Sequence, residues 1–126
     1  MEEKTSAQRE ALLRQNDGIV TWWGSLVECA SALSRLRREG RLDAGTLRQS
    51  HEYLQNLSGT WLEVPPTERV RRRALRLVRV HALRGADALQ LAAALTAAEE
   101  DPVSMNFVSS DTRLTTAAER EGFQVL

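Results

Sequence analysis

Apolar positions along this chain recur at two periods. From Leu26 through Ala30 and Leu33 to Leu36 they fall three or four residues apart, the spacing that lines one side of a helix. A basic last turn, Arg37-Arg38, and then Gly40 close that helix. Asp43 is placed to cap a second helix, with Leu47, Leu54 and Leu57 on one side and Ser58-Gly59 at its end. Thr67 to His81 repeats the helical spacing, with Val70, Ala74, Leu77 and Val78 on one side and Arg69, Arg72, Arg73, Arg76 and Arg79 on another. Ser6 to Gln15 predicts a short early helix before the turn signal Asn16-Asp17-Gly18. Leu114 to Glu121 predicts a late one, stopped by Gly122.

The second pattern is the short β-branched or aromatic run. Ile19–Trp23, Thr60–Val64, Met105–Ser109 and Phe123–Leu126 read as strands, the second ended by Pro65-Pro66. Strands alternating with helices predict one α/β domain over residues 1–126, with a mostly parallel sheet. In such sheets ligands sit outside the carboxyl ends of the strands.

One stretch stands apart from both patterns. Leu83-Arg84-Gly85-Ala86-Asp87-Ala88-Leu89-Gln90-Leu91-Ala92-Ala93-Ala94-Leu95 predicts a helix opening just after Gly85. Alanine favours helix and takes little room, so this helix is expected to lie close against a neighbour. Its first acid is Asp87, in the opening turn, and no other charge follows before Glu99.

Composition narrows the function classes. The 126 residues carry 17 Lys+Arg and 17 Asp+Glu, so the net charge is zero, which argues against a bulk polyanion binder but leaves room for a local basic face. The single cysteine, Cys29, excludes an intrachain disulfide and a thiolate metal cluster, and is expected to be buried and inert. No apolar run approaches the roughly 18 residues of a membrane span. The polar N-terminus lacks an apolar signal region, and the expected location is the cytoplasm.

Three acids fall at one end of the expected sheet. Glu28 follows the first strand, Asp111 follows the third, and Asp87 opens the helix between. Three carboxylates held together need a cation or shared protons. Oxygen ligands without His or Cys suit Mg²⁺ or Mn²⁺, which activate water against a phosphodiester. Each acid also has a purely structural reading. Ser25-x-x-Glu28 is a capping-box spacing, and Asp87 and Asp111 are each placed to stabilise a helix start.

At these residues the chain resembles the PIN-domain family, specifically its VapC-type toxin ribonucleases. The matching segments, in order, are Val27-Glu28 with Ala32-Leu33 and Arg38-Glu39-Gly40, then Leu83 to Ala92, then Phe107 to Leu114. The resemblance implies a three-layer α/β/α fold and a metal-dependent endoribonuclease of a type II toxin–antitoxin pair. It gives Glu28, Asp87 and Asp111 three of the family's usual four acidic places around Mg²⁺ or Mn²⁺. It implies RNA, an antitoxin segment covering the cleft and a second copy as partners, and no membrane. Two departures are visible. Gln90 stands where relatives often have His. The family's opening strand, central to its sheet and ending in Asp, has no counterpart here, because Asp17 precedes a strand and so sits at the wrong end. Either the start lies farther upstream, or the sequence is a fragment, or the protein lacks that strand; a missing middle strand would leave two exposed edges, which favours swapping or dimerisation.

Other residues receive structural readings. His51 and His81 are too sparse for a zinc site, and His81 suits a helix C-terminus. Trp22, Trp23 and Trp61 are expected in the core. The Arg stripe is expected to be a solvated face, with phosphate contact as the functional option, and Arg113 is expected to pair with an acid. The rival function is a catalytically impaired PIN-like binding module. A phospho-accepting receiver domain fits poorly, since Lys4 is the only lysine.

Overall fold

The computed structural model describes residues 19–98, 102 and 105–126; the helix expected over Ser6–Gln15 lies outside them. Four strands and five helices occur among the described residues, in the order β1 (Val20–Trp22), α1 (Ser25–Arg38), α2 (Ala44–Ser58), β2 (Leu62–Val64), α3 (Glu68–Val80), α4 (Gly85–Ala97), β3 (Asn106–Phe107), α5 (Thr112–Arg120) and β4 (Gln124–Val125). Every element expected over these residues is present, and the fold is mixed α/β and mostly helical.

The sheet departs from expectation. β1 pairs with β2 in parallel, Val20 opposite Leu62 and Trp22 opposite Val64, and β3 pairs with β4 in parallel, Asn106 opposite Gln124. The described strands therefore form two separate parallel pairs rather than one sheet. A cleft of about 520 Å³ lies between them, with Val20, Thr21 and Trp22 on one wall and Asn106, Phe107 and Val108 on the other.

The core gathers on α3 and α4. Thr67 opens α3 by accepting the Val70 N–H on its Oγ1 at 3.3 Å, and the helix then buries Val70, Ala74 and Leu77. α4 buries Ala88, Leu91, Ala92, Ala93 and Leu95, positions that run around most of its circumference, as expected of a helix enclosed by its neighbours. α4 packs on α3, on β1 and β2, and on α5, so it is the central support of the fold. Gly122, at φ +105, makes the left-handed turn that ends α5 and leads Phe123 into the core.

α1 and α2 differ from these helices. Neither contains a buried residue, and they pack chiefly on each other. Cys29 on α1 is consequently exposed rather than buried, although its thiol is partly shielded beside Ala32, Leu33 and Tyr53. Trp22 is buried and Trp23 exposed, because successive strand residues face opposite ways. Val78 is also exposed, one step outside the apolar side of α3. Among the described residues no helix is long and apolar enough to cross a membrane.

Candidate acidic site

Glu28 sits in the first turn of α1, whose N-cap is Gly24 with no side-chain cap bond. The capping-box reading of Ser25 and Glu28 is not realised. Instead Gln90 Nε2 donates to Glu28 Oε2, joining α1 to the second turn of α4 across 62 positions of sequence. Both residues are half-buried.

Asp87 lies three positions before Gln90 on α4, a spacing that puts neighbouring side chains on the same helix face. It is half-buried, and among the described residues its carboxylate has no hydrogen-bond or ion-pair partner. The cap position belongs to Arg84, which makes no side-chain cap bond. Asp87 therefore stabilises the helix start by its charge in the first turn, not by capping. The Glu28–Gln90 bond joins the helix of one expected acid to the helix of another, and Asp87 lies one turn before Gln90.

Asp111 does what its structural reading predicts. It is the N-cap of α5, and its Oδ1 accepts the N–H groups of Arg113 at 2.9 Å and Leu114 at 3.3 Å. Ser109 Oγ accepts the Asp111 N–H at 3.0 Å, which fixes the turn before the helix. Asp111 is exposed. The ion pair expected of neighbouring Arg113 is not found among the described residues.

The donor set bears on the metal. Among the described residues no group of three or more His, Cys, Asp or Glu side chains converges as a metal site. Two carboxylates, one of them already accepting from the Gln90 amide, supply fewer oxygens than a hard divalent cation takes. The described residues therefore do not, by themselves, complete a site for Mg²⁺ or Mn²⁺. One neighbour registers the local negative charge: burial first, and the Glu28 carboxylate second, push the Cys29 thiol pKa up.

A second polar cluster escaped sequence reasoning. Arg76 Nη2 donates to Glu121 Oε1 at 2.8 Å, and His81 Nε2 lies 2.8 Å from Glu121 Oε2. The Arg76 hydrogen bond, with the His81 bond and the charge of both partners, holds the Glu121 carboxyl below its ordinary range despite some burial. His81 is the C-cap of α3, the helix end assigned to it, and is buried there, but its partner on α5's C-cap carries no sequence signal. The rest of the Arg stripe is partly engaged too. Arg73 Nη1 donates to Thr96 Oγ1 at 2.7 Å, and outside the stripe Arg71 pairs with Glu68.

No protein-family model matches the chain, and no curated protein matches it.

Proposed function

We propose that the chain is a PIN-like ribonuclease domain of VapC toxin type, acting on RNA phosphodiesters with Mg²⁺ or Mn²⁺ and restrained by a cognate antitoxin. The observation that carries this reading is the Glu28–Gln90 hydrogen bond, which draws together the two segments bearing the first two motif acids. Asp87, without a hydrogen-bond or ion-pair partner among the described residues, lies one turn before Gln90. The ordered motifs from Val27 to Leu114 are its sequence support. On this reading the protein works in the cytoplasm, and a second copy completes a homodimer. A further carboxylate beside Glu28 and Asp87 is what the activity requires, and the described residues do not bring one there.

The cap bonds of Asp111 favour a second reading, a catalytically impaired PIN-like module that binds without cleaving. One pair of measurements separates the two. Single-turnover cleavage of labelled RNA that needs Mg²⁺ and is abolished by Asp87→Asn supports the nuclease. Absence of cleavage, together with no heat of Mn²⁺ binding in the millimolar range, supports the binding module.

A further inference from the structure

We propose that the outer side of α3 is a docking surface for an acidic amphipathic helix of another protein. Leu75 and Val78 form its apolar centre, and Arg72 and Arg79 form its charged rim. The surface lies on α3 alone, so it holds whether or not the acids act on RNA.

Helix geometry supplies the first argument. α3 turns Val70, Ala74 and Leu77 into the core. Leu75 and Val78 lie off that side, 55% and 41% exposed, and their spacing of three makes them neighbours on the helix surface. Arg72 stands three positions before Leu75 and Arg79 four after it, so both arginines adjoin the leucine. From Arg72 to Arg79 this ridge runs about 10 Å along the helix axis. One exposed leucine is ordinary, but an apolar pair bracketed by arginines over two turns has the form of a heptad seam with a charged flank.

Charge is the second argument. Along α3 six arginines stand against one acid, Glu68, in a chain whose net charge is zero. Several are engaged within the molecule, Arg71 by Glu68, Arg76 by Glu121 and Arg73 by Thr96. Arg72 and Arg79 are exposed, and among the described residues neither has a hydrogen-bond or ion-pair partner. A guanidinium group takes a carboxylate in a bidentate fork, so the rim is suited to Asp or Glu of a partner.

The mixture of chemistries selects the occupant. A phosphate backbone satisfies the arginines but leaves Leu75 and Val78 in water. An anionic lipid surface takes up a helix by its apolar side, and on α3 that side is buried against α4. A second copy offers the wrong charge. α3 against α3 sets arginine on arginine, α1 and α5 each carry more Arg than Glu, and α2 is balanced. A helix with leucines at heptad spacing and glutamates beside them meets both the apolar pair and the rim arginines.

The test uses the full chain, its Arg72→Glu/Arg79→Glu double variant and its Leu75→Ser variant. Calorimetry measures binding of two helical peptides, one of about three Glu-Leu-Ala-Ala-Leu-Glu-Ala repeats and one with Lys in place of every Glu. The expected result is saturable binding of the Glu peptide, and not of the Lys peptide, by the parent protein. Leu75→Ser weakens that binding about tenfold, the loss of one buried apolar side chain. The double variant weakens it by about tenfold or more and binds the Lys peptide instead. The substituted side chains are exposed, so thermal melts of the variants are expected to match the parent's. No binding of the Glu peptide at about 1 mM, or equal binding by parent and double variant, overturns the proposal. Tighter binding of oligouridylate or of phosphatidylserine vesicles than of the Glu peptide, lost in the double variant, overturns it in favour of nucleic acid or membrane. Self-association of the parent that the double variant lacks, read by sedimentation, overturns it in favour of a second copy.

Discussion

His81 Nε2 and Glu121 Oε2 lie 2.8 Å apart although forty residues separate them in sequence. The contact ties the end of α3 to the end of α5, and Arg76 reinforces it from the turn before. Glu121 is depressed in pKa by these partners, the Arg76 hydrogen bond foremost. A carboxyl with a lowered folded pKa adds stability above its unfolded pKa and loses it as pH falls through the folded value. Glu121→Gln is therefore expected to destabilise the protein by about 1–2 kcal/mol at neutral pH. The gap between variant and parent should close as pH drops below the unfolded carboxyl value of about 4.3. Urea midpoints measured from pH 7 down to pH 3 check both the size and the sign.

Asp111 permits a separation of capping from chemistry. Asn caps a helix about as well as Asp, whereas Ala does not. Asp111→Asn is expected to leave the thermal midpoint nearly unchanged, and Asp111→Ala to cost about 0.5–2 kcal/mol. If the residue also serves RNA cleavage, Asp111→Asn removes that activity without loss of fold. Melting curves and single-turnover cleavage on the same two variants read the two roles independently.

The packing of α3 on α4 rests on few large side chains. Leu77 is fully buried, and the residues buried on α4 include three alanines that cannot rearrange to refill a void. Leu77→Ala is expected to cost about 2–5 kcal/mol, toward the upper end because the site collapses poorly. Equilibrium urea unfolding measures it.

Two glycines at helix ends should respond differently to alanine. Gly40 has φ +73 with open space around the missing Cβ, so Gly40→Ala carries only the left-handed backbone penalty of about 1 kcal/mol. At Gly122, φ is +105 and a Cβ would lie 3.0 Å from Pro102 Cγ. Gly122→Ala is expected to be the more damaging of the pair by differential scanning calorimetry.

Local structure was legible where a residue's chemistry acts on its own neighbours. Asp43 caps α2 by accepting the Thr46 N–H at 2.7 Å, as its position before an apolar helical run foretells. The alanines of α4 foretell its enclosure. What escaped the sequence was set by distant partners. Nothing in the spacing of Arg76 or His81 points to Glu121, and the Glu28–Gln90 bond needs α1 and α4 already packed. The two-way split of the strands was hidden as well, because alternation marks a strand but not its neighbour. The exposure of Cys29 and Trp23 came from the same source: both types are often buried, yet one lies on a helix without core contacts and the other on the outer side of β1.

Burial is distributed unevenly along the chain, and this shapes how it opens. Among the described residues only Trp22 and Val64 of the buried apolar side chains precede Val70, while α1 and α2 contribute none. That helical hairpin is anchored mainly by its own mutual contacts, so it can detach while α3, α4 and α5 remain assembled. The Glu28–Gln90 bond spans that seam, and every partial opening of the hairpin takes the acidic corner apart before the globule itself comes undone.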